Sequence, residues 1–173
     1  MKNLISLFLI AISFTSFAQS SQYDLFIQNG LGYLGKNQYQ QAMVEFQKAY
    51  NLDSTKVESY YYTGVTITNI CFQTGESCQG AIEMLTTSIN INPNFRKAYY
   101  NRGVCLLRIG YLKDAINDFN NAIKLDNQDP DYFINRGLAK IKLKEKEEGC
   151  IDFKKALKLG SNKALKFQKE YCH

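Results

Sequence analysis

The small and aromatic residues of this chain return on a fixed ruler. Glycine recurs at Gly30, Gly64, Gly103 and Gly137, with gaps of 34, 39 and 34 residues. Counting that glycine as position 8 of a unit, position 4 holds Phe26, Tyr60, Tyr99 and Phe133, and position 24 holds Phe46, Leu85, Phe119 and Phe153. Position 20 holds Ala42, Ala81, Ala115 and Gly149, and position 27 holds Ala49, Ser88, Ala122 and Ala156. Steps of three and four within each half put these side chains on one helix face. Two helices per unit follow. Small residues at positions 8, 20 and 27 let the pair approach closely, and the bulky ones at 4 and 24 fill the space between neighbouring units. Burying each aromatic contributes roughly 1.5–3 kcal/mol. No unit can bury its apolar faces alone, so the stack is the folding unit.

Local punctuation supports the same division. Thr55 and Glu58 have capping-box spacing before the second unit. Asp129 followed by Pro130 reads as an N-cap and first-turn pair, and Gly110 and Gly160 stand where helices should stop. One step of 34 beyond Phe133 is Phe167, still aromatic, whereas one step beyond Gly137 is Tyr171. Residues 161–172 are therefore expected to form a last helix with no partner of its own, starting near Ser161.

The 34-residue period and its occupied positions resemble the tetratricopeptide repeat over about residues 23–163. The resemblance implies an all-α fold: an α-solenoid of four tetratricopeptide helix–turn–helix repeats with a C-terminal capping helix. The repeats are expected at 23–56, 57–95, 96–129 and 130–163, and the cap at 161–173. The five extra residues of the second repeat are expected in the turn between its helices. Position 32 carries proline only in that repeat, as Pro93, against Ser54, Asn127 and Lys163 elsewhere.

The first residues read as a secretory signal peptide. Lys2 supplies a positive start, Leu4 to Phe14 an apolar run, and Ser16-Phe17-Ala18 a small-residue cleavage site before Gln19. The alternative, an uncleaved anchor, needs about 20 apolar residues, and this run is short for that. Residues 1–18 are thus expected to be removed, 19–22 to be a short linker, and the product to act in the periplasm or outside the cell, with no membrane span. Losing Lys2 takes the formal charge from +5 to +4. That is mild, and the basic residues are scattered. The sign-alternating run from Lys140 to Glu148, with its clustered Glu145, Glu147 and Glu148, reads as solvated surface. Nucleic acid is not an expected partner.

Export makes disulfides possible among Cys71, Cys78, Cys105, Cys150 and Cys172. Cys71 and Cys78 bracket the inserted segment, and a bond between them would close it, for about 2.5 kcal/mol in the loop-entropy model. Two free thiols and a metal site are the alternatives, the second without a histidine or paired acid to support it. Cys150 falls in the last repeat's second helix and Cys172 ends the cap, and these helices should be neighbours, so a bond is expected to pin them, with two buried thiols as the alternative. The run Gly149-Cys150-Ile151-Asp152-Phe153-Lys154-Lys155-Ala156, then Gly160 and Tyr171-Cys172, is similar to the ending of exported tetratricopeptide proteins of Bacteroidota, with Gly149 in place of the usual Ala. Cys105 shares its repeat position with Gly32, Thr66 and Ala139 and reads as a small packing residue.

Catalysis finds no support. The one histidine is the terminal His173, so no Ser–His or Cys–His arrangement exists. No phosphate loop or zinc-ligand spacing occurs, and no cofactor or metal is expected. The resemblance implies a concave groove lined by the first helix of each repeat. It places there Asp24 and Gln28; Glu58, Tyr61, Tyr62 and Asn69; Lys97, Tyr100, Asn101 and Arg108; and Asp131, Asn135 and Lys142. Asn101 and Asn135 match the positions whose amides hydrogen-bond an extended peptide backbone. The tyrosines would add rigid contact area, unless they pack within the stack. Arg108 and Lys142 would favour an acidic segment, but the basic pattern of a chaperone-tail clamp is missing, with Ile27, Leu31 and Asn101 at its positions. A non-catalytic protein- or peptide-binding scaffold follows, monomeric rather than oligomeric. A self-assembling or accessory envelope module is the alternative.

Overall fold

The structure is a computed structural model and describes residues 19–172. The signal-peptide reading of 1–18 and His173 lie outside those residues. Helix α1 occupies 19–34, followed by α2 (Tyr39–Leu52), α3 (Val57–Thr74), α4 (Gln79–Ile91), α5 (Arg96–Ile109), α6 (Leu112–Leu125), α7 (Pro130–Lys142), α8 (Lys146–Lys158) and α9 (Asn162–Tyr171). Among the described residues there is no strand. The fold is an all-α solenoid in which each helix packs mainly on its neighbours in sequence. The first helices of successive units also touch, α3 with α5 and α5 with α7, so these helices form the inner row of the stack.

The ruler has a steric basis. Phe46, Leu85, Phe119 and Phe153 are fully buried, as are the alanines and serine at positions 20 and 27. A Cβ built on Gly30, Gly64, Gly103 or Gly137 would fall under 3 Å from the position-24 side chain of its own unit. Each position-8 glycine is therefore the floor on which that side chain rests. Gly149 goes further: its Cβ would meet the Gly137 carbonyl at 2.9 Å, so α7 and α8 approach more closely than an alanine there allows. That contact accounts for glycine at a position where the other units carry alanine.

Several boundaries differ from the sequence expectation. Residues 19–22 are helical rather than a linker: no glycine or proline stops α1 there, and Gln19 Nε2 donates to the Leu52 carbonyl at the end of α2 (2.9 Å). The capping box does not form, because Asp53 Oδ1 accepts from the Thr55 amide and hydroxyl, and α3 begins only at Val57. Most of the inserted residues do not loop out. They extend α3 to 18 residues, against 14 in α5 and 13 in α7, and leave a turn of only Gly75 to Ser77 before Cys78 caps α4. The stretch Cys71-Phe72-Gln73-Thr74 contains no breaker, so the helix propagates until Gly75, which takes the left-handed conformation at φ 80°.

Other signals act as read. The Asp129 carboxylate accepts from the Asp131 amide with Pro130 in the first turn, and Gly110 and Gly160 both have φ of 89° beyond helix ends. Cys71 is bonded to Cys78 and Cys150 to Cys172, with Cα atoms 5.4 and 5.8 Å apart. Helix α9 covers the last seam, burying Ala164 and stacking Phe167 on Phe153 at 5.7 Å.

Candidate peptide groove

The inner row presents a cleft of about 410 Å³ between α3, α5 and α7, lined by Phe72, Val104, Leu107, Arg108, Asn135, Leu138 and Lys142. Three residues singled out from sequence, Arg108, Asn135 and Lys142, meet there. Gln28 and Lys97 are exposed on α1 and α5, and Glu58 is half-buried on α3; none of these three lines the cleft. Asn69 turns its amide back onto the Val65 carbonyl of its own helix (3.0 Å).

The tyrosines serve the stack. Tyr61 is buried against Phe95 and Tyr62, with ring centres 4.7 and 5.0 Å away, and burial pushes its hydroxyl up to about 12. Tyr62 stacks on Phe46 at 5.4 Å. Tyr100 sits between Phe119 and Tyr132, and burial raises its hydroxyl as well. Asn101 Nδ2 donates to the Tyr61 hydroxyl (3.2 Å) and to the Lys97 carbonyl (2.8 Å). Asn135 repeats this geometry on Tyr100 (3.2 Å) and the Asp131 carbonyl (2.9 Å). Both amide nitrogens are thus committed to joining one unit to the previous one. Only their Oδ1 atoms, which accept no hydrogen bond among the described residues, remain for a ligand.

Sequence reasoning missed Phe72, an exposed apolar side chain on the extra turn of α3. The Arg108 guanidinium lies 4.4 Å from the centre of its ring, and Nη2 donates to the Cys71 carbonyl (3.2 Å). The Cys71–Cys78 bond therefore sits directly behind one wall of the cleft. Carrying the helical register of α3 past Ile67 would have put Phe72 on this wall. Cys105, fully buried beside Thr68 Oγ1 (3.2 Å), has its thiol pushed up by burial and acts in packing.

A second set of residues was also missed. In the third unit the Arg102 guanidinium grips Asp118 through Nε and Nη2 (both 2.8 Å) and reaches Thr86 of the preceding unit through Nη1 (3.0 Å). In the fourth, Arg136 grips Asp152 (2.9 and 2.5 Å) and reaches Asn120 (2.7 Å), with Lys140 adding a bond to Asp152 (2.8 Å). Arg102 stays charged more firmly than a free arginine because the Asp118 carboxylate hydrogen-bonds it. The signal was an arginine before the position-8 glycine with an aspartate 16 residues later.

Residues 96–129 and 130–167 each match a family model described as the tetratricopeptide repeat. The TPR repeat-containing protein MJ1428 of Methanocaldococcus jannaschii is 32% identical over 105 residues, which are 60% of this chain and 17% of that protein's length. Among solved structures, pilF of Pseudomonas aeruginosa superposes with a TM-score of 0.73 at 22% identity, covering 89% of this chain and 72% of that one. A MamA structure from Desulfovibrio magneticus RS-1 gives 0.71 at 20% identity, covering 80% and 76%. This chain carries tetratricopeptide repeats and folds as a tetratricopeptide-repeat solenoid. Among the described residues no helix is long and apolar enough to cross a membrane, and no group of three or more His, Cys, Asp or Glu could hold a metal ion.

Proposed function

We propose that this protein is a non-catalytic scaffold that binds a protein or peptide segment along its inner wall, in an oxidising compartment outside the cytoplasm. The observation that carries the reading is the cleft between α3, α5 and α7, where four apolar side chains stand beside Arg108, Lys142 and the Asn135 amide. A concave surface with apolar walls and a few polar groups is the usual form of a recognition site. Two intrachain disulfides support an exported location, since such bonds persist where glutathione and thioredoxin do not reduce them. The one cysteine outside them, Cys105, is buried with a raised thiol pKa and is unsuited to nucleophilic work.

A photoreactive residue at Leu138, irradiated in the native envelope, should crosslink to a polypeptide. If adducts form only from a residue on the outer helices, such as the exposed Ile151 of α8, the inner-wall reading is wrong.

A further inference from the structure

Three of the four units set a cation of their own chain near the position-4 ring and an acid at position 23. Lys48 lies 5.7 Å from the Phe26 ring and pairs with Glu45 (2.6 Å). Arg102 lies 5.9 Å from the Tyr99 ring and grips Asp118, and Arg136 lies 5.5 Å from the Phe133 ring and grips Asp152. In the third and fourth units the same guanidinium also reaches a position-25 acceptor on the preceding unit, Thr86 or Asn120.

The second unit breaks the rule at both charged positions. Thr63 stands where Arg102 and Arg136 stand, a place the first unit fills with Asn29, whose amide donates to Glu45 (3.5 Å), and Met84 stands where the acids stand. The ring is retained as Tyr60, and the acceptor across the seam is retained as Gln47. Among the described cation–ring pairs, Tyr60 takes part in none. At this place the structure has a cleft of about 190 Å³, lined by Gln47, Tyr50, Ser59, Tyr60, Thr63 and Met84. Tyr50 meets Tyr60 edge-on at 5.5 Å, and the Tyr60 hydroxyl is anchored on the Ser54 carbonyl (3.1 Å). Gln47 Nε2 is bonded to Asn51 Oδ1 (3.0 Å), and among the described residues Gln47 Oε1 accepts nothing.

We infer that this outer-face cleft is an arginine slot left empty in cis, and that it takes the guanidinium of an arginine side chain from a partner protein. The third and fourth units show what the scaffold holds at this place, a flat cation beside an aromatic ring, donating across the seam, whereas the first unit uses the Lys48 ammonium. A guanidinium suits the retained groups better than an ammonium, because it is weakly hydrated, stacks on rings and donates in a fixed plane to Gln47 Oε1 and Thr63 Oγ1. The paired loss of arginine and acid leaves no buried charge unpaired when the slot is empty. The surface is separate from the inner wall, so it stands or falls independently of peptide binding there.

The test is a titration of the purified chain, carrying labelled tyrosine, with N-acetyl-arginine amide, its neutral isostere N-acetyl-citrulline amide, and N-acetyl-leucine amide. The ring signals of Tyr50 and Tyr60 should shift saturably with the arginine probe and at least fivefold more weakly with the other two. The double substitution Thr63→Arg with Met84→Asp refills the slot from within, as in the third and fourth units, and should abolish the response while the helical circular dichroism is kept. Tyr60→Leu, which removes the ring, should weaken the arginine response read at Tyr50 at least fivefold and keeps the idea testable if the double variant does not fold. An equal response to citrulline or leucine would mean a neutral or apolar pocket. That result, no response at all, or undiminished binding by either folded variant would overturn the assignment.

Discussion

Gly103 and Ser88 show how little room one atom has in this stack. A methyl added at Gly103 meets the Phe119 ring at 2.8 Å, so Gly103→Ala should cost about 1–3 kcal/mol, read as a lower urea midpoint with an unchanged slope. Ser88 is the converse case. Its hydroxyl is buried with no hydrogen-bond partner among the described residues, at a position where the other units carry alanine. Ser88→Ala removes that cost and should raise stability by about 1 kcal/mol in the same assay. Tyr61 makes an alkaline limit. Its folded hydroxyl ionises near 12, against an ordinary value of 10.0, so between those values the folded state holds a proton that the unfolded state has lost. Stability present below pH 10 therefore falls as pH rises toward 12, and Tyr61→Phe should flatten that decline in thermal melts taken across the range.

At the scale of the helix pair, apolar contact and charge divide the work. The position-24 residues fill each pair, while Arg102 and Arg136 tie each pair to the one before it. Asp152 is almost wholly buried and receives both Arg136 and Lys140, so Asp152→Ala leaves two cations without their carboxylate. A loss of about 3–5 kcal/mol is expected in chemical denaturation, larger than the few tenths that an exposed ion pair contributes. The second pair lacks this tie and instead has the longer α3 and the Cys71–Cys78 bond.

Across the whole molecule, stability is a sum of units and seams, and the ends are the weakest places. Helix α9 packs mainly on α8, with Lys163 also reaching Asp131 of α7 (3.6 Å), and a bond closing 23 residues from Cys150 to Cys172 holds it there. Cys172→Ser should lower stability by about 3 kcal/mol under oxidising conditions. Hydrogen exchange should show α9 losing protection first while α3 to α6 keep theirs; uniform loss along the chain would mean that the bond does not act on the cap.

The ruler of small and bulky residues by itself determined the helix pairs, their buried faces and the helical cap, because close approach leaves only a few side chains that fit at positions 8, 20, 24 and 27. Both cysteine pairings were legible for a related reason: one insertion and one final helix left few places for them. Tertiary structure decided the rest. Whether the inserted residues looped out or kept winding depended on where Gly75 stood relative to Cys78, a choice between two local conformations that spacing alone does not make. Whether Asn101, Asn135 and the tyrosines faced a ligand or a neighbouring helix depended on the angle between units, which sets how far Tyr61 and Tyr100 reach across a seam. The arginine ties needed the same information: Arg136 is 16 residues from Asp152 in sequence, and only the packing of α7 on α8 turns that distance into a bond.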